Sequence, residues 1–497
     1  MIYRSIFLFF FLLVQSYGFA QELNARVLDS LTQNPIPFAS IYMKTGNGVV
    51  SNEEGSFGMR FASPEIAEDT LFISCMGYET LKLYIPAIQD SIFYLSPKAI
   101  ALNSVVLSNK EIEVSQLLKE IQKDIPKKYE LGHTQKKLFF REFGTQEFKK
   151  MDLKVKKTSI KEFNQDFWDE TLQNLPKKNE WYSEFVGTLY GNFDKEKQKL
   201  KLEKAVDIED KNTTAIFKNM ERLIDTVLQE NIKEDSYFKI RSGILGGKID
   251  SENLSFSQKD TLSKEEKEVK KKSDFLSLKK RILSNLIQNL FKDEELNFNI
   301  LNKTSKYHFE LVDYTYRGET AVYVLEFEPK SNEDFKGKLY IDADRMTLIR
   351  LEYKNFRNIR DFSMFGVSFQ ENLKEVIIQF KKTVHEKYAI EYLEYSHGYN
   401  GGFDRPLVLT EKNKVVKGRN KQNQLKLDLN AQNSQFIKYQ IVVFETLPIT
   451  EDEFNSIKEI PSVLPTLLSE YDSTFWEGYS IIEPDATLKE FKIIPQN

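Results

Sequence analysis

The side chains of this chain that could carry out chemistry are few, and their spacing decides what they can do. There are four histidines, His133, His308, His385 and His397, and one cysteine, Cys75. A hydrolytic zinc centre needs nitrogen and carboxylate ligands with one open position, which in sequence takes the form of a His-x-x-Glu pair and a distant third ligand. No histidine here begins such a pair: His308 is followed by Phe309-Glu310, and His385 by Glu386. His385 and His397 could approach across strands, but no third ligand is specified, so no metal is assigned. The chain has no Gly-x-Ser-x-Gly elbow. Cys75 reads as mid-strand beside Met76-Gly77, the setting of a small apolar residue rather than of a nucleophile.

Other motifs have structural readings. Gly243-Ile244-Leu245-Gly246-Gly247-Lys248 is spaced wrongly for a phosphate loop, and Ile249 stands where Ser or Thr is needed, so a turn is expected. Asp342 and Asp344 flank a hairpin turn, where carboxylates usually accept backbone hydrogen bonds rather than hold calcium. The runs Lys270-Lys271-Lys272 and Lys279-Lys280-Arg281 could meet anionic headgroups, yet the interleaved acids favour a solvated helix face. No catalytic set assembles and no cofactor site is read, so the protein is expected not to be an enzyme.

The elements that position these residues are mostly strands. Aromatics make up 13% of the 497 residues, with 38 Phe and 23 Tyr, and such residues favour pleated surfaces. The net charge of −4 argues against a nucleic-acid partner. From about residue 296 the apolar period is two. Tyr323, Leu325 and Phe327, then Leu339 and Ile341, then Ile349 and Leu351, alternate with polar or smaller residues, which predicts an antiparallel meander with one apolar face. Further strands are expected at 376–384, 390–395, 407–409 and 437–444. Helices are expected at 114–121, where Pro126 follows as a stop, at 215–229 and at 263–291. The last has a capping box of Ser263 and Glu266 and a face of Phe275, Leu278, Ile282, Leu286 and Leu290. A second box pairs Thr450 with Glu453, and the aromatic tail 471–479 is expected to pack on the sheet.

The first twenty residues read as an export signal: Arg4, an apolar run over 6–14, Gly18 and Ala20 at the cleavage spacing, and Gln21 rather than a lipidated Cys. Short strands follow at 23–28, 39–43, 57–61, 71–75, 81–85 and 92–95, with turns at Asn47-Gly48 and Glu54-Gly55. The motifs Glu53-Glu54-Gly55-Ser56-Phe57, Gly77-Tyr78, Leu95-Ser96-Pro97 and Leu102-Asn103-Ser104-Val105-Val106-Leu107 resemble those of the carboxypeptidase regulatory-like domain of Bacteroidota envelope proteins. That resemblance covers 22–107 and implies an Ig-like or transthyretin-like β-sandwich that accompanies other domains and is not itself catalytic. The segment 319–353 is similar to strands of LolA-like half-barrels, whose sheet face holds acyl chains in carriers. Carried over, this makes Tyr323, Leu325, Phe327, Leu339, Ile341, Ile349 and Leu351 a candidate apolar ligand face, unless helix 263–291 or the aromatic tail fills it as core.

The expected architecture is a β-rich α+β protein: signal 1–20, sandwich 22–107, helical connector 108–130, a mixed strand and helix region 131–295, and an antiparallel half-barrel-like sheet with C-terminal helices over 296–497. The expected role is a non-enzymatic binding or interaction protein of the cell envelope, in the periplasm or associated with the outer membrane. Its expected partner is an envelope protein or a lipid. Alternatives are a lipid or lipoprotein carrier, an enzyme of another class, and a small outer-membrane barrel.

Overall fold

The computed structural model describes residues 21–44, 48–61, 69–98, 113–233, 235–243, 245–250, 263–330, 332–415 and 420–491. The expected signal 1–20, Asn47 and the motif 102–107 lie outside them. The sandwich has two sheets. One orders β4 (Ser56–Phe61), β1 (Gln21–Asp29) and β7 (Ile92–Leu95); the other orders β3 (Gly48–Val50), β2 (Ser40–Met43), β5 (Thr70–Ser74) and β6 (Leu81–Tyr84). Its turn chemistry is as expected. Gly55 has φ +74°, and a Cβ there would sit 2.4 Å from the Val27 carbonyl, so only glycine fits. After Gly77, the Tyr78 hydroxyl donates to Asp29 Oδ2 at 2.8 Å, tying the last turn to the end of β1.

The remainder is built on one large sheet. Its strands are β8 (Thr134–Thr158), β9 (Lys178–Gly191), β10 (Gln198–Glu209), β11 (Ser236–Ser242), β12 (Leu245–Asp250), β15 (Tyr307–Arg317), β16 (Thr320–Pro329), β17 (Phe335–Asp342), β18 (Thr347–Asn355), β19 (Arg360–Met364), β20 (Val367–Lys382), β21 (Tyr388–Asn413), β22 (Lys421–Pro448) and β23 (Thr466–Leu468). A two-residue ribbon, β13 (Phe291–Lys292) with β14 (Glu295–Leu296), stands apart. The main order is β15-β16-β17-β18-β20-β21-β22-β8-β9-β10-β23, with β19 beside β20 and the β11–β12 hairpin beside β21. The expected division into 131–295 and 296–497 therefore meets a single sheet, because β8, β9 and β10 pair onto β22. Nor, among the described residues, does the sheet close as a small barrel would: β15 and β23 end the order unpaired to each other, and helices pack on one face. No helix among the described residues is long and apolar enough to cross a membrane.

Alternation sends successive side chains to opposite faces, and the registers show what each face carries. One row runs Leu311, Leu325, Leu339, Leu351, Ile378, Leu393, Ile441, Phe140, Phe185, Ala205, each opposite the next across neighbouring strands. This face is covered by helices α1 (Val114–Ile121) and α4 (Lys264–Ile287); α1 lies over β15 and β18, and α4 over β10. The capping box of Ser263 and Glu266 starts α4 as expected. Of the expected face, Phe275, Ile282, Leu286 and Leu290 pack into the core while Leu278 is exposed; the most deeply buried stripe beside them is Leu276, Lys279, Leu283 and Ile287. Pro126 does not end α1. It occupies the first turn of a separate one-turn helix, Ile125–Lys128, a position where its missing N–H costs nothing.

The sandwich covers the opposite face. Ile41, Phe57 and Ile73 share one core with Phe139, Val186, Tyr392 and Val442 of the sheet. The tail lies along this seam: Trp476 Nε1 donates to Glu184 Oε2 at 2.6 Å, and Arg141 pairs with Glu184 and donates to the Ile482 carbonyl at 3.1 Å. Beyond these covers the long strands continue outward. There α2 (Gln165–Gln173) packs beside β8, and α3 (Lys211–Asn231) adds Val227 and Leu228 to a small core with Leu425 and Leu427.

Candidate functional site

The expected ligand face is closed. Leu325, Phe327, Leu339, Ile341, Ile349 and Leu351 are all 1% exposed or less, and Tyr323 is half-buried. Leu117, Leu118 and Ile121 of α1 enter the same core. The segment after α1 clamps the strand ends: Tyr129 donates to the Leu348 carbonyl at 2.6 Å, and Lys128 Nζ to the Met346 carbonyl at 2.8 Å. Gln122 exchanges two hydrogen bonds with the Leu296 backbone, at 3.0 and 2.9 Å, which fixes the ribbon over the face. Six of these seven residues are core, with Tyr323 packed half-buried against them, because the connector, read as a linker, is itself the lid.

The same face is open where the two helical covers do not meet. Between the end of α4 and the middle of the sheet lies a cleft of about 680 Å³. Its sheet side is Phe335, Tyr353, Val376, Leu393, Tyr395 and Tyr439, with Lys374 among them. Its helix side is Ile282, Leu286 and Leu290, and its rim carries Asn285, Asn289, Asn297, Asn299 and Asn302. The rim amides largely hold one another and their backbone. Asn297 donates to the Asn289 carbonyl at 3.1 Å, and Asn302 to Asn297 Oδ1 at 3.0 Å.

Two cations reach the cleft, and they differ. Lys303 is neutralised by Glu333 at 3.3 Å. Lys374 has no carboxylate within ion-pair distance among the described residues; its ammonium stands between the Phe335 and Tyr395 rings, 5.7 and 5.8 Å from their centroids. Burial lowers its pKa, partly offset by Glu371, so the charge is held at a cost that an anionic ligand would relieve. Directly opposite Lys374 on β21 is His397. Burial lowers its pKa too, and its buried Nδ1 has no hydrogen-bond partner among the described residues. Burial likewise raises the phenols of Tyr395 and Tyr439, so the floor is neutral and aromatic beside one cation. Outside the cleft lining, Lys279 of α4 is buried against Glu142 at 3.2 Å, and Trp181 donates to the same carboxylate at 3.2 Å. Lys279 is thus an internal pin rather than part of a solvated face.

The other residues singled out by sequence fall elsewhere. His385 lies in the exposed turn that begins β21 and His397 nine residues along it, which at strand rise is roughly 30 Å, so one hairpin arm keeps them apart. Among the described residues no group of three or more His, Cys, Asp or Glu side chains is placed to hold a metal. Asp342 accepts from the Asp344 and Arg345 amides at 2.9 and 3.0 Å and from the Tyr388 hydroxyl at 2.6 Å; it organises its turn. Gly243 and Lys248 belong to the β11–β12 hairpin, where Lys248 lies 4.4 Å over the Tyr237 ring; Ile244 is outside the described residues. Cys75 follows β5 at the seam with the sheet, beside Arg317 and Arg350, and burial raises its thiol.

Comparison with known proteins bears on the first part of the chain. The family model of the CarboxypepD_reg-like domain matches residues 24–107, so the sandwich is such a domain. No curated protein matches the chain. Among solved structures, the chain is similar to a domain from Vibrio parahaemolyticus described as an outer membrane lipoprotein-sorting protein, at 8% identity, covering 69% of this chain and 97% of that one, with a TM-score of 0.19. It is also similar to MucB, at 7% identity over 64% of this chain and 92% of that one with a TM-score of 0.17. The Pseudomonas aeruginosa MucA/MucB complex aligns at 8% identity over 68% and 98% with a TM-score of 0.15.

Proposed function

We propose that this is a non-enzymatic binding protein of the cell envelope, exported by its first twenty residues, whose ligand is a single-chain amphiphile with an acidic head. The observation that carries this is the cleft with its desolvated Lys374, which has no ion-pair partner among the described residues, set in an apolar and aromatic wall. Its volume of about 680 Å³ lies within the range of small-molecule sites, which are largely apolar with a few placed polar groups. The hydrocarbon lies along Val376, Leu393, Leu286 and Leu290, and the acidic head meets Lys374. Charge-assisted contacts of this kind are strong when water is excluded. The reading keeps the carrier-like chemistry expected from sequence but moves it from the sealed residues of β16–β18 to a neighbouring stretch formed by Phe335, Tyr353, Val376, Leu393, Tyr395 and Tyr439.

Native mass spectrometry of the purified protein tests it. The expected result is a one-to-one adduct with a fatty acid, either co-purified or taken up on incubation, which disappears when Leu286→Trp fills the cleft. No adduct under either condition would end the reading.

A further inference from the structure

The cleft has a continuation that ends in an exposed apolar tip. From its floor, rings follow one another along the sheet. Tyr395 lies 5.4 Å from His397, His397 lies 6.3 Å from Tyr399, and Tyr399 lies 6.0 Å from Phe369. Phe369 is cross-strand partner to Phe362, and Val367 to Met364, in the β19–β20 hairpin. Directly opposed residues share a face, so Phe362, Met364, Val367 and Phe369 extend the ligand-side face of the sheet. The acid within this strip, Glu371, is paired with Arg360 at 3.5 Å.

The tip is built to be exposed. Phe362, Met364, Phe365 and Phe369 are 46%, 51%, 67% and 38% exposed. The nine residues from Phe362 to Gln370 carry no charge, and Asp361 and Glu371 bound them. The turn is held: Phe365 and Gly366 have φ +51° and +75°, and the Asp404 amide donates to the Gly366 carbonyl at 2.7 Å. A monomer rarely shows a contiguous apolar patch of this kind without using it.

We propose that the β19–β20 tip inserts into a phospholipid bilayer and brings the open end of the cleft to the lipid surface. The area argues for a bilayer over a protein. Four such side chains at these exposures offer roughly 400 Å², about half of what a stable protein interface takes from each partner. The nine residues of the tip bring no charge of their own into a bilayer to be desolvated, and since β21 flanks the turn at Asp404 and runs on to Asn413, the tip meets the lipid with its exposed face rather than as a free end. The docking stands on the hairpin alone; only the cargo rests on the function proposed above.

Co-sedimentation of the whole protein with vesicles of phosphatidylethanolamine and phosphatidylglycerol tests this. The wild type is expected to pellet with the vesicles, with little change on adding salt. The double variant Met364→Ser, Phe365→Ser is expected to lose at least about tenfold in partitioning while taking up fatty acid as before. In Phe365→Trp the added fluorescence is expected to shift to the blue with vesicles. Lys374→Met is expected to pellet normally; tip-dependent pelleting without fatty-acid uptake would leave the docking standing and overturn only the cleft reading. The proposal is overturned if the wild type stays in the supernatant, if the double variant pellets equally, if Phe365→Trp shows no shift, or if the tip instead makes a dimer that the double variant abolishes.

Discussion

The two faces of the large sheet use alternate residues of the same strands, yet they are finished in opposite ways. The helix-covered face carries an uninterrupted apolar row from Leu311 to Ala205. The sandwich-covered face interleaves charge: Glu352, Ile377, Glu394, Gln440, Arg141, Glu184 and Val206 form one row across it. Its polar groups are matched by the cover. Glu391 accepts from Ser40 of the sandwich at 3.0 Å and is paired with Arg317; Lys438 reaches Glu53 of the sandwich at 2.6 Å and Glu394 at 3.2 Å. A cover that is itself a β-domain can match such a pattern point by point. Two helices laid on a wide apolar face cannot span it, and the gap between them is the cleft. One face therefore holds the molecule together by specific polar pairing, and the other by bulk burial with room left for a ligand.

The largest effect expected from this contrast is on the paired face. Glu184→Ala leaves the Arg141 guanidinium, only 5% exposed, without its carboxylate, and breaking a buried pair from one side costs about 3–5 kcal/mol. Urea unfolding measures it, and a loss below 1 kcal/mol would mean the seam does not depend on its charges. On the apolar face, Leu351→Ala removes a fully buried side chain and is expected to cost about 3 kcal/mol by the same measurement.

A smaller effect is set by pH. Burial brings the Lys136 ammonium down to about 8, while in the unfolded chain it titrates near 10.4. Between these values the unfolded chain holds more protons, so stability rises as pH climbs from about 8 toward 10, by on the order of 2 kcal/mol. Below pH 8 both states are protonated and this contribution is flat. Lys136→Met should be the more stable protein at pH 7 and should lack this rise, so the difference between the two urea midpoints should narrow from pH 8 to 10. A constant difference would contradict the assignment. The smallest stability effect is expected at the cleft itself: Lys374→Met changes stability by less than about 1 kcal/mol, since no carboxylate among the described residues lies within ion-pair distance of its ammonium.

How much of this was legible in the sequence differs by region. In the sandwich the strands, Gly55 and the Gly77-Tyr78 pair were readable because each is a local signal; the three-residue β3 was passed over as part of a turn. Both capping boxes were readable for the same reason, and Thr450 and Glu453 cap a short helix, Glu451–Ser456. The apolar alternation of Leu325, Leu339 and Leu351 correctly marked one face, but alternation cannot say what covers it. The length of β21 was missed because Gly398, Gly401 and Gly402 look like an ending. They lie inside the strand because cross-strand side chains take their space: a Cβ at Gly401 would meet Asn433 Oδ1 at 2.7 Å, and one at Gly402 would meet Ser368 Oγ at 2.3 Å. Lys374 was not legible, since Glu371-Asn372-Leu373-Lys374-Glu375 reads as a polar surface run. Lys279 was misread because its partner, Glu142, is 137 positions away. The asparagines between Asn285 and Asn302, passed over in the sequence, were a signal that could have pointed to the cleft rim.

The central claim is that the cleft binds an amphiphile by its acidic head at Lys374. Fluorescence titration with a dansyl-labelled fatty acid and with its methyl ester, on the wild type and on Lys374→Met, tests it most directly. The account predicts one site that prefers the acid over the ester by about tenfold or more, the worth of one charge-assisted contact, and that Lys374→Met erases this preference while still binding the ester. Equal affinity for acid and ester in the wild type, or an unchanged preference in Lys374→Met, would contradict it.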